Sequence, residues 1–257
     1  MTLGSVLAAA RLQLAMSRRD PEHLLVLVTT PLFALIFMSI GTAAGREVTV
    51  ADAVVAPGLI GLWYVSLDVA GALVSVERWQ GRLELLLAAP VDPVGVIFGR
   101  VAVITTIGAL TFAEAWAVAS WYAHRLLTVA EPGRFLLGLV LTCLAMAATA
   151  VLVSAFFTIS RVRFVILTSL SYPVYILGGV VVPPGSLPEW LRPLTTVVFL
   201  SHGSDLLRHA ATGRGDAGGP ADLLLLVVLG TAAMLVGSVL MARIVTRLRR
   251  NGTVHLS

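Results

Sequence analysis

The sequence predicts an all-α integral membrane protein with six transmembrane helices, and three observations lead to this fold class. Hydrophobic residues make up 58% of the 257 residues, and charged residues make up only 12%. The mean hydropathy of +0.93 is far above that of a soluble domain. About six apolar stretches reach the roughly 20 residues that a helix needs to cross a hydrocarbon core about 30 Å thick. We expect residues 1–257 to form a single membrane domain.

The six predicted spans share this length and a near absence of charged residues. They are Leu24–Ala44, Ala53–Val76, Val96–Tyr122, Phe135–Ile159, Val162–Val182 and Leu223–Ile244. Before the first span, residues 1–20 are predicted to form an amphipathic helix on the membrane surface, where arginines can reach lipid phosphates. An ordinary frayed basic N-terminus is the alternative. After the last span, residues 244–257 are predicted to form a basic cytoplasmic tail.

The distribution of arginine predicts the orientation. With the N-terminus placed inside, 12 of the 18 basic residues lie on the cytoplasmic side and 6 lie outside. The positive-inside rule therefore predicts that both termini are cytoplasmic. The same asymmetry explains a sequence pI near 10, so the basic charge indicates contact with lipid headgroups and not with nucleic acid.

Every basic residue among these 18 is arginine, and the chain contains no lysine. A phosphate-binding loop of the form G-x-x-x-x-G-K-[ST] requires lysine, so any ATP that drives this protein must bind to another polypeptide. The single cysteine, Cys143, excludes an intramolecular disulfide and a cysteine-rich metal site. The alanine- and valine-rich, lysine-free composition suits a GC-rich bacterial genome.

Enzyme signatures are absent from the sequence. It contains neither G-x-S-x-G nor H-E-x-x-H. His202 and Asp205 are three residues apart, but two ligands do not make a metal site. The sequence therefore predicts no catalytic residues, no metal site and no cofactor bound by this chain.

Two acids within predicted spans are candidates for lining a cavity. Asp68 lies roughly 12 Å from the inner end of the second span, and small residues such as Gly61 and Ala72 are predicted to share its face. A buried carboxylate is costly in a membrane, so Asp68 either lines a cavity or is a packed structural residue, and both alternatives remain open. Glu114 is predicted to lie near the outer headgroups, where a solvated carboxylate is favoured.

The segment ERWQGRLELLLAAPVDP separates the second and third spans and is amphipathic. A helix over residues 77–89 places leucines toward lipid and shows charges to the cytoplasm, and Pro90 ends it. This helix can therefore face a soluble partner. A solvated connecting helix without a partner is the alternative.

The connection between the fifth and sixth spans is too apolar for a plain loop and too short to span. It predicts a re-entrant or interfacial hairpin over residues 183–208, which begins at Pro183 and which Trp190 anchors at headgroup level. His202, Asp205 and Arg208 recur at three-residue spacing and are predicted to share one polar face, on which Asp205 pairs with Arg208.

These two segments resemble those of type-2 ATP-binding-cassette exporter permeases. The order ER-x-x-G-x-LE-x-LL-x-x-P resembles the coupling region of that family. GGVVVPPGSLPEWLRPL followed by FLSHGSDLLR resembles the outer hairpin of the branch that contains nodulation-factor and daunorubicin-resistance permeases. Phe199 departs from the proline that is common there.

The resemblance implies a permease that pairs with a second copy or a related permease and with two cytoplasmic ATPase subunits, which bind ATP and magnesium. It implies export of a drug, lipid or glycoconjugate across the bacterial cytoplasmic membrane. The residues that it assigns to coupling are Glu77, Arg78, Gly81, Glu84 and Pro90. A membrane-embedded enzyme and a non-transporting membrane scaffold are the alternative functions.

Overall fold

Helices make up nearly all of the regular structure. The computed structural model describes residues 3–17, 21–43, 45, 49–81, 93–159, 163–181, 187–213 and 219–251, and no strand occurs within these ranges. The helices in these ranges, in chain order, are α1 (Leu3–Ser17), α2 (Pro21–Ala43), α3 (51–79), α4 (Pro93–Tyr122), α5 (Pro132–Ile159), α6 (Arg163–Leu177), α7 (Arg192–Thr195), α8 (Phe199–Thr212) and α9 (Pro220–Asn251).

Four of these helices are long and apolar enough to cross a membrane. Their membrane-length segments lie in α3, α4, α5 and α9, and they agree with the second, third, fourth and sixth predicted spans. In α2, the segment Val28–Ala43 is apolar, and it follows the apolar sequence Leu24–Leu27. Helix α6 has 15 residues, or roughly 22 Å at about 1.5 Å per residue. The count of six spans therefore stays a prediction.

Helix α3 is not a regular α-helix along its whole length. Two π-helical segments, Ala51–Val55 and Tyr64–Ala70, alternate with the α-helical segments Ala56–Trp63 and Gly71–Trp79. A π-helical turn contains more residues than an α-helical turn, because its hydrogen bonds join residues five apart. Counting at three- and four-residue spacing therefore does not apply across residues 64–70, and the face predicted to hold Gly61, Asp68 and Ala72 stays a prediction.

Small residues let α3 approach its neighbours closely. A Cβ atom added at Gly58 would lie 2.7 Å from the ring of Phe112 on α4. One added at Gly61 would lie 2.8 Å from both Thr30 on α2 and Thr111 on α4. Thr111 also donates a hydrogen bond from its hydroxyl to the Gly58 carbonyl at 3.1 Å. These contacts hold α2, α3 and α4 together by close backbone approach, as is common between helices in membranes.

Helix α9 packs on α5 through glycine. A Cβ atom at Gly230 would lie 3.1 Å from the Cβ of Ala145, and one at Gly237 would lie 2.8 Å from the backbone nitrogen of Leu152. The remaining surface of α9 is largely apolar and exposed. These glycines, here called the glycine seam, bring the α9 backbone close to α5, and buried side chains such as Leu226 and Met241 add to this contact.

Helix α1 confirms the helix predicted within residues 1–20 and packs against α4. Ala9, Gln13 and Ser17 are buried, whereas Leu7 and Leu14 are exposed. A polar and small face therefore meets the bundle, and an apolar face remains for lipid.

The predicted hairpin contains the single turn α7 and the amphipathic helix α8. Helix α8 continues to Thr212, four residues beyond the predicted end at residue 208, and Gly213 ends it with a φ of 65°. A Cβ atom at Gly203 would lie 2.7 Å from the hydroxyl oxygen of Thr142, so α8 lies directly on α5. Trp190 is 74% exposed. Pro183 lies outside the described residues.

We predict that Gly237→Ala lowers the free energy of unfolding by about 1–3 kcal/mol, because the new methyl group meets backbone atoms that cannot rotate away. Gly133→Ala is the control, since nothing lies within 4 Å of a Cβ there; we expect no loss of stability. Reversible unfolding in detergent micelles measures both. Equal stability of the two variants would contradict the glycine seam.

Candidate functional site

A polar cluster, here called the α1-end cluster, joins three helices at the end of the bundle where α1 lies. It consists of Gln13, Ser17, Glu77 and Arg100. The Arg100 guanidinium donates to Gln13 Oε1 at 2.7 Å through Nε and to Glu77 Oε1 at 3.0 Å through Nη1. Gln13 in turn donates from Nε2 to Ser17 Oγ at 3.3 Å. Arg100 therefore ties α1 to the last turns of α3 and the first turns of α4.

The Arg100–Glu77 ion pair is buried, with side chains only 8% and 11% exposed. Burial removes both charges from water, so their mutual attraction and the amide of Gln13 must replace the lost hydration. Removing either side chain takes away an ion-pair partner at 3.0 Å from a charge that stays buried. The cluster therefore fixes how α1, α3 and α4 sit relative to one another.

The α1-end cluster lies where the predicted coupling segment begins. Glu77 belongs to the last α-helical segment of α3, and Gly81 breaks the chain direction with a φ of 70°. The prediction that Glu77 shows its charge to the cytoplasm is wrong, because its carboxylate turns inward to Arg100. The side chain of Arg78 and residues 82–90, including Glu84 and Pro90, lie outside the described part of the chain.

A second polar cluster, here called the hairpin-end cluster, lies at the opposite end of the bundle. Arg208 on α8 donates from Nη2 to the Val180 carbonyl at 2.7 Å and from Nη1 to Asp52 Oδ1 at 3.4 Å. Asp52 lies in the first turn of α3 and also accepts a hydrogen bond from Thr49 Oγ1 at 2.9 Å. Arg208 thus joins α8 to the start of α3 and to the segment after α6.

His202 adds a second connection within the hairpin-end cluster. Its Nδ1 lies 2.9 Å from Asp222 Oδ1 on α9, and its Nε2 lies 3.1 Å from the Thr196 carbonyl oxygen. The His202 side chain is 7% exposed, and that of Asp222 is 26% exposed. The imidazole therefore bridges α8, the loop before it and the first turn of α9.

Asp205 does not form the predicted ion pair with Arg208, which pairs with Asp52 instead. Burial raises the pKa of the Asp205 carboxyl, and the nearby Asp222 carboxylate raises it further, whereas His209, Arg208 and His202 lower it. Burial also lowers the pKa of the Arg208 guanidinium, and Asp52 and Asp205 oppose that change. The cluster therefore disfavours charge on Asp205.

The cavity predicted around Asp68 stays a prediction, because the structure describes the side chains of Ala72 and Glu114 but not that of Asp68. Gly61 is buried in the contact between α2, α3 and α4, and Ala72 is half-buried. Asp68 lies in the second π-helical segment of α3, and its side chain is outside the described part. Glu114 is half-buried, and its Oε2 is buried without a hydrogen-bond partner among the described residues, contrary to the predicted solvation.

Sequence reasoning missed five members of the two clusters: Gln13, Ser17, Arg100, Asp52 and Asp222. Arg100 was counted only for orientation, although it follows the predicted start of a span by four residues and needs a partner there. Asp52 and Asp222 each lie at the start of a long helix, where an acid is ordinarily an exposed N-terminal residue. Gln13 gives no sequence signal. Among the described residues, no group of three metal-ligating side chains occurs.

The architecture defines the class as a multi-pass α-helical membrane protein. The family model for ABC-2 type transporters matches residues 5–211, and the chain therefore belongs to the ABC-2 type transporter family. The match runs from α1 to α8 and includes all of the α1-end cluster and all of the hairpin-end cluster except Asp222. No match was found among curated proteins. Members of this family are transporter permeases, not catalytic enzymes, and they normally pair with ABC ATPase subunits.

We predict that Glu77→Gln and Arg100→Gln each lower the free energy of unfolding by about 3–5 kcal/mol, because each leaves one buried charge without its partner. The double variant should lose less than the sum of the two single losses. The control is the exposed pair Glu131–Arg134, at 2.9 Å, whose matching double-mutant cycle should give about 0.2–1 kcal/mol. Additive losses at Glu77 and Arg100 would contradict their coupling.

We predict that Asp205→Asn raises the melting temperature at pH 7.5. A carboxyl whose folded-state pKa is raised binds its proton more tightly when folded, so stability falls as pH rises from the ordinary carboxyl range near 4 to the raised pKa. The asparagine variant lacks this loss and should show a flatter pH profile. Asp52→Asn is the control and should lower the melting temperature, because it removes the partner of Arg208. If the melting temperature of Asp205→Asn depends on pH as that of the wild type does, the raised pKa of Asp205 is contradicted.

Proposed function

We propose that this chain is the membrane subunit of an ATP-driven exporter in a bacterial cytoplasmic membrane. In this proposal six spans cross the membrane, both termini and the α1 end face the cytoplasm, and the hairpin is outside and re-entrant. Two copies, or one copy and a related permease, assemble with two ATPase subunits that bind ATP and magnesium. The cargo is a drug, lipid or glycoconjugate, as in the nodulation-factor and daunorubicin-resistance branch that the sequence resembles.

The position of the α1-end cluster is the observation that carries this proposal. The predicted coupling segment, residues 77–89, begins at Glu77, which is paired with Arg100 inside the bundle. Arg100 also holds α1 through Gln13 at 2.7 Å. A force applied by a cytoplasmic partner to this segment therefore acts on α1, α3 and α4 together, because the buried polar contacts resist separation.

The absence of lysine supports a separate energy source. A chain without lysine has no ordinary phosphate-binding loop, and the family normally pairs with ATPase subunits. ATP binding closes the two ATPases, and the coupling segment then shifts the bundle between inward and outward access.

The hairpin-end cluster supplies a contact at the other end of the bundle, which a change between inward and outward access requires. Arg208 holds α8 to the first turn of α3, while Glu77 lies in the last turns of the same helix. Movement of α3 at the Glu77 end therefore changes the Arg208–Asp52 contact at the other end of the same helix. The two π-helical segments between them are the places where α3 departs from regular geometry.

We predict that Glu84→Arg separates the permease from its ATPase. The charge reversal on the coupling segment should weaken association by about tenfold, or about 1.4 kcal/mol, and abolish permease-dependent ATP hydrolysis and export. Glu189→Arg is the control, because it makes the same charge change on an exposed residue at the hairpin end. Copurification from membranes with the ATPase, followed by hydrolysis and transport assays in proteoliposomes, measures each quantity.

Two outcomes would contradict the proposal. Association and export that survive Glu84→Arg would show that residues 77–89 are not the coupling segment. Failure of the wild-type chain to stimulate any copurified ATPase would favour the enzyme or scaffold alternatives.

A further inference from the structure

His202 lies between two hydrogen-bond acceptors, Asp222 and the Thr196 carbonyl. Satisfying both contacts takes one proton more than a neutral histidine and a charged aspartate carry together. The Thr196 carbonyl oxygen can only accept a hydrogen bond, so Nε2 must carry a proton to donate to it at 3.1 Å. A neutral imidazole then presents the lone pair of Nδ1 to Asp222 Oδ1 at 2.9 Å, where a charged carboxylate also only accepts. The contact becomes a hydrogen bond when a proton lies between the two atoms.

The position of Asp222 places that proton on the imidazole. Asp222 lies in the first turn of α9, where the positive end of the helix dipole favours a charged carboxylate. The imidazolium form of His202 then donates from both ring nitrogens, to Asp222 and to Thr196. A charge-assisted bond at a side chain only 7% exposed is stronger than a neutral one.

The charges around His202 favour the same state. Asp222 on α9 contacts His202 directly, and the other charged or titratable groups of the cluster are Asp52 on α3 and Asp205, Arg208 and His209 on α8 itself. The Asp222 carboxylate at 2.9 Å attracts an imidazolium more strongly than a neutral ring. The charged pair at the start of α5, Glu131 and Arg134, is exposed and self-contained.

We propose that His202 and Asp222 form a proton-dependent latch that holds α8 against α9, closed while the pair carries its extra proton and loosened when that proton leaves. Loss of the proton turns the 2.9 Å contact into a repulsion between two acceptors. Because His202 also fixes Thr196, the loop between α7 and α8 is released at the same step. The latch complements Arg208, which holds α8 to α3 through Asp52.

The consequence for transport rests on the proposed exporter function. With the hairpin outside, external acid keeps the exit side closed and a rise in external pH opens it. The latch itself is tested by protonation and stability, neither of which needs transport. Failure of the latch and failure of the exporter assignment are therefore distinguishable.

The test uses the full-length chain with ¹⁵N-labelled histidine in micelles, titrated from pH 5 to pH 9. The imidazole signals report whether one or both ring nitrogens carry protons, and His202→Gln identifies the signal of His202. We expect both ring nitrogens of His202 to carry protons in the wild-type chain at pH values at which only one of them does in Asp222→Asn. Wild-type His202 with a single protonated ring nitrogen throughout the titration would overturn the latch.

Asp222→Asn is the decisive variant, because its side-chain amide can donate to the neutral Nδ1 and so keeps a hydrogen bond without the extra proton. In this variant we expect only one ring nitrogen of His202 to carry a proton at those pH values while the protein stays folded. His209→Gln is the matched control on the same helix and should leave the His202 signal unchanged. An unchanged His202 titration in Asp222→Asn would exclude the latch.

Thermal unfolding gives an independent measurement. The latch stabilises the fold where the proton is held, and this stabilisation is lost as pH rises and the proton leaves, so the wild-type melting temperature should fall by about 2–4 °C more between pH 6 and pH 8.5 than that of Asp222→Asn. The comparison is repeated in an Asp205→Asn background, because Asp205 also makes stability fall with pH. If the melting temperature depends on pH equally in Asp205→Asn and in the double variant Asp205→Asn, Asp222→Asn, the proposal is contradicted.

Discussion

The pairing of charge at both ends of α3 is the constraint on which the remaining structure depends. Glu77 meets Arg100 at one end, and Asp52 meets Arg208 at the other. The two acids are 25 residues apart, which would be roughly 37 Å at the α-helical rise of about 1.5 Å per residue and is shorter because of the π-helical segments, so the distance is comparable to the hydrocarbon thickness of about 30 Å. Each arginine comes from a different element, so satisfying the charges of α3 also fixes α1, α4 and α8.

Between these two ends, close packing of small residues, and not charge pairing, holds the helices together. Lipid tails are as apolar as the side chains they meet, so burying leucine does little to hold helices together in a membrane. Gly58 and Gly61 bring α3 against α2 and α4, and Gly237 brings α9 against α5. Large apolar residues of α2 and α9 remain exposed on the surface of the chain. Small residues therefore determine which helices pack closely, and the surfaces that carry large apolar residues stay outside these contacts.

The two clusters differ in how firmly they hold. At the α1-end cluster, both partners of the ion pair are buried, and the guanidinium has an additional amide acceptor. At the hairpin-end cluster, the Asp52 side chain is 54% exposed and the Arg208–Asp52 distance is longer, at 3.4 Å. The His202–Asp222 contact there depends on a proton. An exporter needs a firm connection where force enters and a reversible one where the cargo leaves, and this asymmetry supports that assignment of the two ends.

The sequence by itself determined the class, the helical fold and the boundaries of four spans, because the cost of placing polar groups in hydrocarbon is read directly from composition and length. The ERWQG and SHGSDLLR motifs also pointed to the transporter family that the chain belongs to. Tertiary structure alone decided the partners of the charges. Arg208 has Asp205 three residues away, but it pairs with Asp52, 156 residues distant in the chain. Helical spacing identifies which residues can share a face, whereas the choice of partner depends on which helices pack side by side.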